Sequence, residues 1–227
     1  YSEKITGWVM DCEIKLDTSD ESCGYVMYPR YLEDGICRYD RFEHKIVECL
    51  LPDGAEVEFP DYTYFLGNEM FPVYEIEPLI FRNMKFIGDF KMNNLKVLNR
   101  NDFQYSMFDG KFEGVRLEAI GFCAFLNSNF IGSINLPKCY VIEDNAFFNS
   151  NFNKDAILPS CRFIYDMSFK VSNFNGKLII DNLRYVGGLA FQNSNFTEII
   201  KSQPIQKYLK YIKENQIKGC PVNRRKQ

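Results

Sequence analysis

The chain has 227 residues, of which 46% are hydrophobic and 25% are charged, and its formal net charge is −3. This composition is that of an ordinary globular protein and argues against a disordered or collagen-like chain. No stretch approaches the ~18–20 apolar residues that a membrane span needs, so we expect no membrane span and a soluble chain. The net charge also argues against nucleic acid as the partner, because phosphate binding requires a basic surface.

Charged residues are distributed unevenly along the chain. Residues 1–85 contain 18 Asp or Glu against 8 Lys or Arg, whereas residues 196–227 contain 2 against 8. Such asymmetry indicates regions with different surfaces. We predict three regions: a β-rich acidic N-terminal cap at 1–54, a repeat solenoid at 55–200, and a C-terminal capping helix with a basic tail at 201–227.

The front of the chain shows the apolar alternation of β-strands. Five apolar residues alternate with polar or small ones and indicate a half-buried strand: Trp8, Met10, Cys12, Ile14 and Leu16. Further on, residues 45–51 and 55–59 flank Pro52-Asp53-Gly54, which predicts a hairpin turn. After this turn we expect one face to carry Ala55, Val57 and Phe59 and the other to carry Glu56 and Glu58.

Cysteine usage favours isolated thiols. The eight cysteines form no C-x-x-C pair, and the gaps around the single histidine, His44, match no common zinc-finger spacing. We therefore expect neither a metal nor another cofactor. The residues leave open whether the four cysteines of the front are free or paired: Cys12, Cys23, Cys37 and Cys49. With no visible signal peptide, a cytoplasmic location is favoured, and a secreted or cell-surface location is the alternative if an upstream signal was removed.

The middle of the chain repeats every 22 residues, and a repeat of this length determines the fold. Two columns hold 12 of the 21 phenylalanines: Phe81, Phe103, Phe125, Phe147, Phe169 and Phe191, and Phe86, Phe108, Phe130, Phe152, Phe174 and Phe196. A serine column has the same period: Ser106, Ser128, Ser150, Ser172 and Ser194. Asn follows the last four serines, and the residue before the first Phe column is small at Ala124, Ala146, Ser168 and Ala190 but not at Asp102.

Each unit combines a short strand with a compact turn or short helical piece. Apolar residues two positions apart mark one strand face: Phe90 and Met92, Ile134 and Leu136, Leu178 and Ile180. One unit cannot bury this face alone, but stacked units form a parallel sheet with strands about 4.7–4.9 Å apart. The phenylalanine columns then become internal stacks, and the Ser and Asn columns bond to backbone groups of adjacent coils. Cys139 and Cys161 take a Leu position, so we expect buried thiols.

The repeat resembles a known family. Leu136-Pro137-x-x-x-Val141-Ile142-x-x-Asn145-Ala146-Phe147 resembles the I-P-x-x-V-x-x-I-x-x-x-A-F core of BspA-like (Treponema pallidum-type) leucine-rich repeats, and Leu158-Pro159 through Ser168-Phe169 repeats it. The resemblance covers about residues 55–200 and implies a leucine-rich-repeat solenoid, a right-handed stack of 22-residue coils used for binding rather than catalysis. The FNIP repeat, suggested by Phe152-Asn153 and Phe174-Asn175, is the alternative.

The resemblance extends to an irregular first repeat. Val57-x-Phe59-Pro60 followed by Val73-x-x-Ile76 and Phe81 is similar to the start of that family's repeat regions. The gap from Pro60 to Phe81 is 21 residues, against 10 from Pro137 to Phe147, so this alignment implies an insertion of 11 residues.

The end of the chain predicts a helix that covers the last coil. Pro204 suits a first helical turn, and Gly219 suits the stop. The apolar stripe between them consists of Ile205, Tyr208, Leu209 and Ile212.

The sequence predicts no enzyme, because the common nucleophile-elbow, P-loop, dinucleotide and zinc-protease motifs are absent from it. The favoured function is a non-catalytic protein–protein interaction module that binds another protein through the solenoid face. Two outward columns are the candidate contacts: Lys91, Glu113, Asn135, Ile157 and Ile179, and Asp89, Lys111, Ser133, Asp155 and Lys177. Ile157 and Ile179 would form an apolar patch beside Lys177. The oligomeric state stays open.

Two other functions fit the same sequence. The first is a small intracellular inhibitor, such as an immunity protein or a mobile-element anti-host protein. It would block an enzyme or a nucleic-acid-binding protein through the acidic front, with Glu56 and Glu58 as contacts. The second is a fragment of a surface adhesin, as the resemblance implies.

Overall fold

A computed structural model describes residues 2–5, 12–15, 31–33, 36–67 and 72–199. These residues form strands joined by turns, and no helix occurs among them. The strands are, in chain order, β1 Ser2–Ile5, β2 Cys12–Lys15, β3 Tyr31–Glu33, β4 Cys37–Asp40, β5 Lys45–Cys49, β6 Glu56–Leu66, β7 Glu75–Ile76, β8 Lys85–Met92, β9 Val97–Leu98, β10 Met107–Phe108, β11 Phe112–Gly114, β12 Ala119–Ile120, β13 Asn129–Phe130, β14 Ile134–Asn135, β15 Val141–Ile142, β16 Asn151–Phe152, β17 Ala156–Ile157, β18 Phe163–Ile164, β19 Asn173–Ile179, β20 Tyr185–Val186 and β21 Asn195–Ile199.

The stack of coils builds two parallel sheets. The larger has ten strands. Six of them form two rows, β10-β13-β16 and β11-β14-β17, which the long strands β8 and β19 join at either end, and β6 pairs with β8 and β21 with β19. The smaller sheet has the order β20-β18-β15-β12-β9. In the regular coils, paired residues lie 22 apart, as in Ile120 with Ile142, so the predicted solenoid and its register are confirmed.

The core between the sheets is filled by the phenylalanine columns. Phe147 stacks nearly parallel on Phe125 and on Phe169, with ring centroids 5.1 Å apart in both cases. In the second column, Phe152 stacks on Phe130 at 5.3 Å and on Phe174 at 4.5 Å. The expected internal stacks are confirmed, and the buried thiols of Cys139 and Cys161 continue the aliphatic part of the same core.

The segment around the first phenylalanine column is a turn, in which the backbone N–H groups alternate in direction. The N–H groups of Asn145, Phe147 and Asn149 donate to the next coil at 3.0, 2.8 and 2.8 Å, whereas those between them donate three residues back within the turn. This alternation requires left-handed backbone at two positions of every coil. They are Leu79, Asn101, Cys123, Asn145, Met167 and Leu189, and Asn83, Tyr105, Asn127, Asn149, Val171 and Asn193.

The serine column bonds between coils, as predicted. The buried hydroxyl of Ser150 donates to the carbonyl oxygen of Phe125 at 2.6 Å and accepts from the N–H of Ser128 at 3.3 Å. The same donor bond is made by Ser106, Ser128, Ser172 and Ser194. The prediction fails for the asparagine side chains, because only their backbone N–H groups bond to the neighbouring coil. The side chain of Asn151 is exposed, and that of Asn173 donates to Asn175.

Asp102 departs from the small residues of its column and is fully buried. Its Oδ2 accepts from the N–H of Asn99 at 2.7 Å, while its Oδ1 has no hydrogen-bond partner. Burial, with the nearby charges of Glu75 and Glu77, raises the pKa of Asp102 to about 8 despite the bond from Asn99. The boundary between the first coil and the regular stack therefore holds a carboxyl group that is protonated at neutral pH.

The N-terminal residues form two small sheets. β1 and β2 are antiparallel, and β2 falls within the first predicted strand, whose Trp8, Met10 and Leu16 lie outside the described residues. The other sheet has the order β3-β4-β5-β7. In it, β5 lies parallel to β7, with Ile46 opposite Ile76, so the N-terminal region covers the edge of the first coil.

The predicted hairpin around Pro52-Asp53-Gly54 is wrong. The turn forms, since the N–H of Ala55 donates to the carbonyl oxygen of Pro52 at 3.1 Å, but the strands on either side enter different sheets. β5 pairs with β4 and β7, whereas β6 runs parallel to β8 and starts the solenoid. The predicted faces hold where they are described: Val57 is buried, and Glu56 and Glu58 are exposed.

The register of the first coil also corrects the predicted insertion. Val57 pairs with Phe86, which is 29 residues later, and Leu66 pairs with Met92. From Val57 to Phe86 the coil therefore has seven residues more than the 22-residue unit, not 11. Three of the seven lie in the register shift between Glu58 and Thr63, because Leu66 and Met92 are only 26 residues apart. Pro60 lies in the register shift between Glu58 and Thr63 rather than in the proline position of later repeats, because Leu66 takes the strand position that precedes that proline. The predicted C-terminal helix lies outside the described residues.

Candidate protein-binding surfaces

The first predicted column forms one continuous row on the outer face of the ten-stranded sheet. Strand register places its members side by side: Lys91, Glu113, Asn135, Ile157 and Ile179. All five are half-buried, whereas the strand neighbours Ala156 and Leu178 are fully buried. The predicted strand phase is therefore confirmed. We call these five residues the sheet row.

The charges of the sheet row lie at one end. Lys91 Nζ is 3.4 Å from a carboxylate oxygen of Glu113, so these two charges pair with each other. Asn135 then separates them from Ile157 and Ile179, which are register partners in adjacent coils. The row therefore changes from ionic to apolar along the stack, and its apolar end is a half-exposed pair of isoleucines.

The second predicted column is partly occupied by bonds between coils. The Oδ1 of Asp89 accepts from the N–H of Lys111 at 2.8 Å, and the Oδ1 of Asp155 accepts from the N–H of Lys177 at 2.9 Å. The side chains of Lys111 and Lys177 are exposed. This column thus offers cations at its surface, while its carboxylates hold adjacent coils together.

The acidic contacts predicted for an inhibitor lie apart from the sheet row, on β6. Glu56 and Glu58 are both exposed, and Glu56 forms an ion pair with Lys85 at 2.6 Å. One of the two charges is therefore already partnered within the chain.

A second surface, which the sequence analysis did not identify, lies on the five-stranded sheet. It has two rows, and we call them together the basic–apolar stripe. The basic row is Lys96, Glu118, Tyr140, Arg162 and Arg184, and the apolar row is Val97, Ala119, Val141, Phe163 and Tyr185. Each row keeps the 22-residue period, but its residue types vary, so no single-residue repeat marked it.

Backbone hydrogen bonds fix the spacing of the basic row. The N–H of Tyr140 donates to the carbonyl oxygen of Glu118 at 2.9 Å, and the N–H of Arg162 donates to that of Tyr140 at 2.9 Å. A depression of about 490 Å³ lies beside these residues and is lined by Glu118, Lys138, Tyr140, Ser160, Arg162 and Asn182. Ser160 and Asn182 bond to the carbonyl oxygens of Pro137 and Pro159 at 2.6 and 2.7 Å, so the polar wall of the depression is held in place.

The cysteines in the solenoid do not suit covalent chemistry. Burial raises the pKa of the Cys139 thiol to about 12 and raises the pKa of the Cys161 and Cys123 thiols as well. The thiolate is the reactive form, so these thiols are poor nucleophiles and poor metal ligands. Within the ranges that the structure describes, no three His, Cys, Asp or Glu side chains are arranged to hold a metal ion.

His44 interacts with tyrosines of the N-terminal sheet. Its Nδ1 lies 2.8 Å from the hydroxyl of Tyr39, and that hydroxyl donates to the carbonyl oxygen of Pro72 at 2.8 Å. The Tyr39 hydroxyl therefore accepts from Nδ1–H of His44, which fixes the ring. This arrangement has a structural role.

In the part of the chain that the structure describes, no segment forms a helix suited to crossing a bilayer. A comparison with curated proteins finds no match, and a comparison with solved structures finds none either. The model of the BspA-type leucine-rich-repeat region matches residues 96–223 with six copies. This match spans more than half of the chain and includes the regular coils, most of the two phenylalanine columns and the whole serine column. The chain therefore belongs to the BspA-type leucine-rich-repeat family.

Proposed function

We propose that this chain is a non-catalytic protein-binding module that contacts its partner through the sheet row. Membership of a leucine-rich-repeat family supports protein–protein interaction as the general role. The single observation that carries the proposal is the pair Ile157 and Ile179. These aliphatic side chains are register partners on the outer face of the sheet and are only half-buried.

An aliphatic pair in this position suits a contact centre. Binding energy is concentrated in a few residues near the middle of an interface, and polar contacts around them exclude water. Asn135 lies on one side of the pair within the row, and the exposed Lys177 belongs to the same strand as Ile179. A partner with an apolar protrusion would complement this arrangement.

The experiment compares the wild-type chain with the Ile157→Ala/Ile179→Ala double variant. Each immobilised protein captures partners from an extract of the native host, and purified partner is then titrated by calorimetry. We expect binding at least tenfold weaker for the double variant, with a melting temperature close to that of the wild type. A collapse of the melting temperature would instead show that the isoleucines belong to the core.

The control variant is Val115→Ala. Val115 is 40% exposed and follows β11, outside the sheet row, so this variant removes exposed aliphatic surface at a different place. Binding should be unchanged in this variant. Equal weakening by Val115→Ala and by the double variant would contradict a contact centred on the isoleucines.

The exposed carboxylates of Glu56 and Glu58 support the inhibitor as the second candidate. In that case the Glu56→Lys/Glu58→Lys variant should lose binding to the target while the isoleucine variant retains it. The Glu56→Lys change also removes the ion pair with Lys85, so a melting curve must accompany the binding assay. Binding that survives the charge reversal would place the contact on the solenoid face.

A further inference from the structure

The basic–apolar stripe has a charge pattern that the sheet row does not have. Five cations lie on it or beside it, and all are exposed: Lys96, Arg116, Lys138, Arg162 and Arg184. Glu118 is the one carboxylate within the basic row. Among the residues that the structure describes, neither Lys138 nor Arg162 lies within ion-pair distance of a carboxylate. These two charges are therefore available to a ligand.

Apolar and aromatic surface accompanies the cations. Val97 is 45% exposed and Tyr140 is 43% exposed, while the other four members of the apolar row, including Phe163, are half-buried. Tyrosine and arginine side by side are the residue types that most often dominate protein interfaces. The stripe can therefore bind both carboxylates and apolar side chains.

The far edge of the stripe is acidic. Glu143, Asp144 and Asp166 are exposed on the other side of the apolar row. Asp144 accepts from the N–H of Asp166 at 2.9 Å, and Asp166 accepts from the N–H of Gly188 at 2.6 Å, so this edge is fixed by bonds between coils. A polyanion with charge on all sides, such as a nucleic acid, would be repelled here. A ligand with carboxylates on one side only avoids that repulsion.

The spacing of the rows selects the shape of the ligand. Successive coils present one site each about 4.8 Å apart, so five coils span about 19 Å. An α-helix laid along the stack repeats a face every ~5.4 Å, whereas an extended segment repeats a face every ~6.7 Å. The helix is the closer match. About 13 helical residues would cover the stripe, with an acidic residue once per turn.

We propose that the basic–apolar stripe binds an amphipathic helix of a partner protein. Its acidic side contacts the basic row with Lys138, and its apolar side contacts the apolar row. This inference rests on the proposed role in protein binding but uses a different sheet. Variants of the sheet row and variants of the stripe therefore show separately which of the two surfaces has lost its binding.

The test uses a fluorescein-labelled peptide of about 14 residues, built from Glu, Leu and Ala with Glu once per helical turn. Fluorescence anisotropy measures its dissociation constant for the full chain. We expect the Lys138→Glu/Arg162→Glu variant to bind about tenfold or more weakly, and we expect binding of the wild type to weaken as salt is raised. Both residues are exposed, so circular dichroism should show an unchanged fold.

Three controls isolate the stripe. Lys154→Glu makes the same kind of charge change at an exposed residue of the ten-stranded sheet region and should leave the peptide affinity unchanged. A peptide of identical composition with its Glu residues clustered should bind more weakly than the helical pattern. Ile157→Ala/Ile179→Ala should not alter peptide binding, whether or not the sheet row binds a partner as proposed.

Three results would overturn the proposal. One is equal affinity of the wild type and the Lys138→Glu/Arg162→Glu variant for the peptide. Another is binding of a single-stranded oligonucleotide of equal charge as tightly as the peptide, since that would make the stripe a general polyanion site. The third is self-association of the wild-type chain that the charge reversal abolishes, since a second copy would then occupy the stripe.

Discussion

The side-chain amide of Asn149 donates to the side-chain carbonyl of Asn127 at 2.6 Å, across the boundary between two coils. Both residues have left-handed backbone, with φ of 54° and 57°. Asparagine tolerates this conformation better than most residues because its short polar side chain can bond locally. The next coil has Val171 at the same position, with φ of 63° and an exposed side chain.

Val171→Asn should stabilise the protein by about 1 kcal/mol, because a β-branched residue is strained in left-handed backbone. The new amide would also lie between Asn149 and Asn193 and could extend the side-chain bond to a third coil. Urea denaturation of the variant and the wild type measures the difference. The reciprocal change, Asn149→Val, should destabilise by a similar amount. A loss of stability in Val171→Asn would show that Val171 is not strained.

Close approach of adjacent coils predicts a severe effect at Gly132. A Cβ atom at this residue would lie 2.0 Å from the carbonyl oxygen of Gly110, so the backbone of one coil would have to shift. We expect Gly132→Ala to destabilise by ~1–3 kcal/mol, as overpacking does. Thermal denaturation of the variant gives the measurement.

Gly188→Ala is the matched control for this substitution. Its Cβ atom would have Asp166 Oδ1 as the nearest atom, at 3.6 Å, which is ordinary contact. The melting temperature of this variant should stay close to that of the wild type. Equal effects of the two alanines would mean that coil-to-coil distance does not explain the cost.

The phenylalanine stack should depend most on its central rings. Phe147 stacks on two rings, whereas Phe81, among the described residues, stacks face to face on Phe103 alone, at 5.3 Å. Truncation of a buried Phe to Ala typically costs ~3–5 kcal/mol. We expect Phe147→Ala to reach that range and Phe81→Ala to cost less, because coils couple to nearest neighbours. Equal or reversed losses in denaturant melts would show that the first coil stabilises the protein as much as the regular stack does.

The buried carboxyl of Asp102 predicts a pH dependence of stability. Its pKa is about 8 in the folded protein, against about 3.9 in an unfolded chain, so the folded state binds the proton more tightly. The contribution of this group to stability is complete below about pH 4 and is lost as the pH rises to about 8. Urea melts at intervals across this range should therefore show stability falling with pH.

Asp102→Ala, which restores the small residue of its column, should remove that slope. Asp109→Ala changes an exposed aspartate seven residues later and should leave the slope as it is in the wild type. A wild-type stability that rises steadily from pH 4 to pH 8 would be inconsistent with a buried, protonated Asp102. Persistence of the slope in Asp102→Ala would assign it to another group.

The sequence predicts the regular coils well because each of their contacts joins residues at a constant separation. Phe147 lies between Phe125 and Phe169 in both sequence period and space, and Ser150 bonds where its column predicts. The pairing of the N-terminal strands does not follow from such a constant separation. The turn at Pro52-Asp53-Gly54 is a local signal, but the partner of β5 is the distant β7, and no sequence period relates Lys45–Cys49 to Glu75–Ile76.

Two other features of the structure cannot be predicted from residue types alone. Asn149 is an ordinary residue for left-handed backbone, yet Val171 and Tyr105 take the same conformation because inter-coil hydrogen bonds impose it. The basic–apolar stripe is hidden for a related reason. Its rows combine residues as different as Glu118, Tyr140 and Arg162, so only the register shows that they are neighbours.

The constant separation of paired residues has a consequence for how such a gene can change. A recombination event that removes or duplicates 22 codons within the regular coils leaves each surviving residue opposite a residue of its own column. An event of 21 codons would move every phenylalanine out of its stack. Unequal exchange can therefore lengthen or shorten the molecule one coil at a time, and the span of its outer surfaces changes with it.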